Sequence, residues 1–369
     1  MSDKSSKNVS LEILGDLKSG WNSITSQSNA NSVFTTYEWL SCWIDVYASE
    51  AEQFIICIKE NGFIVALAPL IIVPHNEFGL NLRRLQFIGT GSCDYMDFII
   101  LKEPEECLGI IFDFIQVNKA SWDYCDLRHI SGESENWRIL DNLKSDRKFL
   151  YTTFKETVCP YLKLDTNIES LLKSLKAGLR YDLTKGEREL NKLGLVNYVN
   201  IHDQGEALEE LPIFIDMLEK REKQVNRFSG GKSKEDRDNV FRTFIEDSSM
   251  WSNINFSKIS VDNKPIAYHF GFEYNGKIYW YKPTFDIDYL KFSPGKLMIK
   301  KTIEYAFINN YEEFDFLLGD EQYKFQWTKN VRDSRRIYFS NSKTKSKLIY
   351  SWFMSVKPKL KSLRKSFSN

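Results

Sequence analysis

The sequence predicts a mixed α/β (α+β) protein of two units, and three features predict it. Its 369 residues suffice for two domains of ordinary size. Its 42% hydrophobic and 14% aromatic content supplies a core for each, which argues against disorder. Along the chain, apolar residues at helical spacing alternate with short β-prone runs joined mostly by hairpin turns. Each unit is therefore expected to hold a mixed, largely antiparallel sheet flanked by helices.

The polar residues 1–10 are expected to fray. Thr35, Thr36 and Glu38 precede Trp39, Leu40, Trp43, Ile44 and Tyr47, the pattern of a capped helix with its rings in a core. Apolar runs 54–58 and 63–67 flank Asn61-Gly62, a strong hairpin signal. The second run continues through Pro69 to Val73 as an irregular strand. Strands are expected at 82–88 and 96–101, around the small-residue segment Gly89-Thr90-Gly91-Ser92-Cys93-Asp94-Tyr95. That segment either lets backbone approach a ligand, with Asp94 as acceptor or base, or is a turn that Asp94 caps. Helices at 104–117 and 135–143 and strands at 124–130 and 149–158 complete the first unit.

The run 159–164 reads as the crossing into a second unit, which sets domains of 1–158 and 159–340 and a basic tail, 341–369. Thr166 and Glu169 look like a capping box for a long helix with the stripe Ile168, Leu171, Leu175, Leu179, Leu183 and Leu190. Its other face carries Lys176, Arg180 and Lys185, either as solvated charge or as contacts for an anionic ligand. Gly178 and Gly186 are the expected points of bending. A helix at 207–221 and a mobile polar loop at 226–236 lead to a meander, 256–261, 266–274 and 277–282, turned at Asp262-Asn263 and Asn275-Gly276.

The meander feeds the most informative stretch, 279–327. A β-prone run ends at Pro283, and Ser293-Pro294-Gly295 offers a cap-type serine, a proline for the first helical position and a glycine. The helix that follows ends near Asn309-Asn310, and a strand at 314–318 is broken by Gly319-Asp320-Glu321. A strand opening through Ser-Pro-Gly into a helix start is a ready anion site, with Lys296 beside it; ordinary capping uses the same residues.

Taken in order, these residues resemble the GNAT-related acyltransferases of the CelD-like, cellulose-biosynthesis type, relatives of the FemAB aminoacyl transferases. The resemblance is carried by Asp286 or Asp288 with Tyr289, by Ser293-Pro294-Gly295, by Asp315-Phe316-Leu317-Leu318-Gly319-Asp320, and by Tyr323-Lys324 and Trp327. The 34–40 and 89–95 segments are similar to further elements of the family. The resemblance implies two tandem GNAT-like units and transfer of an acyl group, from acetyl-CoA or another acyl-CoA, to an amine or hydroxyl. No covalent enzyme intermediate is expected. Ser293, Pro294, Gly295, Lys296 and Arg180 would hold the donor, although the several glycines of the ordinary GNAT phosphate loop are missing here. Asp320 would act as base or orient the acceptor, with Tyr323 and Lys324 lining the cleft and Lys324 free to pair with Asp320. His269, the one histidine of the region, and Asp94, from the first unit, complete the catalytic candidates. The implied acceptor is a sugar nucleotide or polysaccharide precursor of envelope or exopolysaccharide synthesis. The alternatives are an aminoacyl-tRNA-dependent transferase and a catalytically silent binding or regulatory protein.

Bulk chemistry narrows the field. Fifty basic and fifty acidic residues cancel, which argues against DNA and, mildly, against RNA. Six scattered cysteines and four dispersed histidines suggest neither disulfides nor a metal site. A polar N-terminus and the absence of a membrane-length apolar run lead to a cytoplasmic expectation. The last thirty residues hold lysine and arginine but no acid. They read as a segment drawn to the inner face of a membrane, or as a terminal helix with a basic end.

Overall fold

Asn61 and Gly62 take φ of 51° and 83° and close the expected hairpin between Ile55–Glu60 and Phe63–Ala68. The computed structural model describes residues 7–77, 79–142, 150–224, 233–341 and 343–352. The chain divides into two compact units, one of residues 1–156 and 333–369 and one of residues 157–332.

The first unit holds β1 (Lys7–Glu12), α1 (Lys18–Gln27), α2 (Tyr37–Tyr47), β2 (Glu52–Gln53), β3 (Ile55–Glu60), β4 (Phe63–Ala68), β5 (Leu70–Glu77), β6 (Leu80–Phe87), β7 (Ile99–Ile100), α3 (Pro104–Val117), β8 (Tyr124–Ser131) and α4 (Glu135–Asn142). One sheet runs β1-β3-β4-β7. Far from fraying, residues 7–10 pair with β3, where Lys7 lies opposite Glu60 and its ammonium sits 2.6 Å from Glu103 and 3.0 Å from Glu106. The expected irregular strand at Pro69 is two strands in two sheets, since proline cannot donate to a ladder. The strand expected at 96–101 pairs only at Ile99–Ile100. Thr36 makes no side-chain cap for α2; the capping box lies upstream, between Ser32 and Thr35.

The strand β9 (Leu150–Lys163) contains the boundary. The second unit continues with α5 (Ile168–Ser174), α6 (Ala177–Leu190), β10 (Val196–Asn200), α7 (Gln204–Gln224), α8 (Lys234–Glu246), α9 (Ser248–Trp251), β11 (Ile254–Val261), β12 (Lys264–Tyr274), β13 (Lys277–Phe285), α10 (Pro294–Ile308) and β14 (Glu313–Asp315). Its strands follow the order β10-β11-β12-β13-β14-β9, antiparallel except for β13 with β14. The single long helix expected after residue 166 is two. Leu175 and Lys176 are extended (ψ 150° and 144°), and Asn167, not Thr166, caps the first piece by accepting from the Ser170 N–H. The break therefore precedes Gly178. Gly186 stays helical, and the position requires glycine because a Cβ there would lie 2.3 Å from the Phe292 carbonyl oxygen. It lets the turn before α10 press onto α6. Most of the polar loop expected at 226–236 lies outside the described residues.

Leu179 and Leu183 of α6, Ile299 and Ile303 of α10, and Ile278, Trp280 and Phe314 of the sheet share one buried core. Burying each such side chain stabilises by about 1.5–3 kcal/mol. That core fixes α10 against the strands that flank its start.

Back in the first unit, β15 (Val331–Ser340) pairs with β8 from Ser334 onward, and α11 (Thr344–Ser351) sets Tyr350 5.8 Å from the Tyr338 ring. The order there is β15-β8-β6-β5-β2. Beyond Trp352 the basic tail lies outside the described residues. Among those described, no helix is long and apolar enough to cross a membrane, and no His, Cys, Asp or Glu group could hold a metal ion.

Candidate active site

The site begins where two parallel strands part. β13 and β14 pair only over Lys277–Tyr279 against Glu313–Asp315, yet β13 continues six residues farther, to Phe285. Pro283 does not end the strand as expected. It sits past the stretch shared with β14, with β12 alone beside it. Proline is tolerated on such a one-sided strand.

After Phe285 the chain does not pass directly into a helix. Asp286 caps a 3-10 turn, Ile287–Phe292, by accepting the Asp288 N–H at 3.1 Å. Ser293 then takes φ 57°, a left-handed conformation, and its hydroxyl caps nothing, contrary to the expected serine cap. Its carbonyl instead receives the N–H groups of Lys296 (3.0 Å) and Leu297 (3.1 Å). Pro294 has no N–H to give. Gly295 is thus the first-turn amide this arrangement leaves for a ligand, and the helix dipole adds to its pull on an anion. A Cβ on Gly295 would come within 3.2 Å of the Phe285 ring, so the close backbone approach depends on glycine.

These groups border a cavity of about 310 Å³ lined by Trp280, Phe285, Ser293, Pro294, Gly295, Lys296, Arg221 and Tyr323, among others. Most of its wall is apolar, as ligand pockets usually are. Trp280 is 3% exposed, stacks on His269, and has a buried indole N–H without a hydrogen-bond partner among the described residues. Arg221 donates from Nη1 to the Pro283 carbonyl at 2.8 Å and lies 4.3 Å from the Phe285 ring centre. Lys296 is balanced by Asp182, 2.6 Å away on α6.

The loop after β14 is built by Lys324. This lysine is 3% exposed and donates to the carbonyls of Leu317 (3.1 Å) and Leu318 (2.7 Å). Its ion-pair partner is Glu321 at 2.9 Å, which corrects the expected pairing with Asp320. Asp320 itself is exposed. Leu317 takes φ 59° with its N–H on Asp315, so the strand expected at 314–318 stops at Asp315. With Gly319 at 3.5 Å, three carbonyls turn toward one ammonium, and they cannot also serve a ladder.

The structure therefore gathers Ser293, Pro294, Gly295, Lys296 and Tyr323 around one cavity, with Lys324 behind the loop that carries Tyr323. Two other candidates of this unit, Arg180 and His269, do not line that cavity. Arg180 is exposed and donates to the Lys173 carbonyl at 2.9 Å. His269 is fully buried between the Trp280 ring and the Asn255 amide, 3.1 Å away, and burial pushes its pKa down to about 3. Such an imidazole stays neutral and packs; it is not placed as a base. Asp94 is half-buried in the first unit, in the turn after β6. Sequence reading missed Arg221, Trp280 and Phe285. Nothing sets Arg221 apart from Lys220 and Lys223, which share its helical turn, and the two rings read simply as strand residues.

Residues 177–325 match the acetyltransferase (GNAT) domain family. This region carries a GNAT-type acyltransferase domain, and the chain is an acyltransferase. Domains of this type generally use acyl-CoA. The whole fold is similar to three solved structures. The crystal structure of FemX superposes with a TM-score of 0.64 at 11% identity, covering 93% of this chain and 99% of that one. The tandem GNAT protein from the clavulanic acid biosynthesis pathway gives 0.52 at 8% identity, covering 92% and 100%. The C-terminal domain of a putative lysylphosphatidylglycerol synthetase from Agrobacterium fabrum gives 0.50 at 12% identity, covering 84% and 94%. At such identities the likeness is one of fold: a mixed α/β architecture shared with tandem GNAT proteins. No curated protein matches the sequence.

Proposed function

We propose that the chain transfers an acyl group from acyl-CoA to an amine or hydroxyl of a sugar nucleotide or polysaccharide precursor in envelope synthesis. The observation that carries the donor half is the cavity where β13 parts from β14, with the start of α10 at its wall. The residues present fit an acyl-CoA. Gly295 N–H, Arg221 and Lys296 suit its phosphates, and Trp280, Phe285 and Ile299 suit an apolar arm. The buried indole N–H of Trp280 is a donor in want of a carbonyl. Acyl-CoA supplies an activated thioester; the protein's share is to position two substrates, take a proton from the attacking group and meet the developing oxyanion. We assign Tyr323 to the cavity wall beside the reacting atoms. Asp320, three residues earlier, is assigned to the acceptor's proton. Lys324 acts at one remove by holding their loop. The acceptor class rests on the resemblance to CelD-like chains.

Thermal shift with acetyl-CoA, longer acyl-CoAs and CoA tests the donor. A ligand at a hundredfold excess over its Kd adds about 2.7 kcal/mol of stability. The expected result is a clear rise in Tm that Gly295→Asp abolishes and Arg221→Ala weakens about tenfold in affinity. No rise with any of the three would overturn the donor assignment and favour aminoacyl-tRNA or a binding role.

A further inference from the structure

The second unit has another, larger cavity that no step above uses. It measures about 690 Å³ and is built by the C-terminal half of α7, the start of β12 and the turn that follows β13. It shares Arg221 and Phe285 with the cavity at α10. The 3-10 turn Ile287–Phe292 runs between the two: Asp286 and Asp288 line the larger cavity, and Leu290 with Ser293 line the smaller.

Its charge is biased by wall. Lys220, Arg221 and Lys223 come from α7 with one acid, Asp216, among them, whereas the turn offers Asp286 and Asp288 with Lys264 of β12 beside them. Two ion pairs hold part of this charge, Lys220 with Asp216 at 2.7 Å and Lys264 with Asp286 at 3.5 Å. Both lysines are more than half exposed, and pairs so exposed contribute little, so a ligand's charges replace them at small cost. Asp288 enters no ion pair among the described residues. A wall with an excess of cations facing a wall with an excess of carboxylates suits a ligand that carries both signs a few bonds apart.

We propose that this cavity is the acceptor site and that the acceptor is a small zwitterion, a primary amine bearing a phosphate or carboxylate. Asp288 receives its ammonium, and Lys220, with Lys223 on the same wall, receives its anion. The inference rests on the donor assignment above and, from the charges of this cavity, puts a small zwitterion in place of the sugar acceptor that the resemblance suggests. The two cavities meet at Arg221 and Phe285, so an amine held here lies next to the donor cavity. In the reaction a C–N bond forms and the thioester C–S bond breaks. Ammonium and thioester become amide, free thiol and one proton, which Asp320, the base assigned above, takes.

Titration calorimetry on the full chain tests it, with O-phosphoethanolamine, β-alanine, ethanolamine and inorganic phosphate as probes. The expected result is that one zwitterion binds at least tenfold tighter than ethanolamine or phosphate alone, the first two probes telling phosphate from carboxylate. Asp288→Asn and Lys220→Met should each weaken that binding about tenfold while the acetyl-CoA thermal shift persists. Both positions are exposed, so melting curves of the variants should overlay the parent's. Zwitterions that bind no tighter than their halves, or binding indifferent to both variants, would overturn the site. If zwitterion binding survives and acetyl-CoA gives no shift, the donor assignment falls while the ligand class of this cavity stands.

Discussion

Lys324 and Lys296 belong to the same motif-rich stretch, yet the fold uses them in opposite ways. The Lys324 ammonium is buried and divided among carbonyls and Glu321, while Lys296 lies half-exposed at a cavity with a single partner, Asp182. His269 sides with Lys324 in being buried; it is neutral and packed on a ring, with Nδ1 on Asn255, although its Nε2 has no hydrogen-bond partner among the described residues. Gly295 sides with Lys296. A polar residue in such a stretch thus serves either to shape the loop or to meet a ligand, and burial with satisfied partners tells which.

The most drastic way to break the comparison is Lys324→Met. Removing a buried cation from its acid and carbonyls should destabilise the chain by about 3–5 kcal/mol, read by denaturant unfolding. A loss under about 1 kcal/mol would mean the ammonium is solvated and the contrast false. Acid sharpens the same contrast through His269. Its folded pKa of about 3 lies below the ordinary 6.5, so below pH 6.5 the unfolded chain binds a proton that the folded chain refuses. Stability is complete above pH 6.5 and falls as pH drops toward 3, by at most about 1.4 kcal/mol per unit. His269→Gln should flatten that slope. Asp97, in the first unit, acts in the other direction. Burial raises it to about 6 against hydrogen bonds from Ser134 and Asn136, so the folded chain binds its proton first as pH falls. The informative quantity is therefore the difference between parent and variant across pH 6.5 to 4.5.

Gly186→Ala probes how the turn is held. Its Cβ must displace the Phe292 carbonyl, which should cost about 1–3 kcal/mol and weaken acetyl-CoA binding through Ser293. Full binding with a normal Tm would show that the turn shifts freely. The smallest effect is expected from Lys296→Met, less than about 1 kcal/mol in stability because its pair with Asp182 is partly exposed. Its signature is in affinity for acyl-CoA, at unchanged Tm.

Much of this was legible locally. The Asn61-Gly62 hairpin, the turns at Asp262-Asn263 and Asn275-Gly276, and the start of α10 at Pro294 each follow from a few neighbouring residues. So does the alternation of apolar runs that set a mixed α/β class. Several expectations failed because of a distant partner. Residues 7–10 form a strand because β3 lies beside them. Pro283 stays inside β13 because β14 stops at Asp315, and Leu317 turns aside because Lys324 gathers its carbonyl. The sequence by itself determined the elements, their turns and the motif that marks an acyltransferase, since those depend on spacing and backbone preference. Only the tertiary structure decided which charges are spent on the fold and which border a cavity. That choice depends on burial and on partners such as Asp182 and Arg221, which are remote from the motif along the chain.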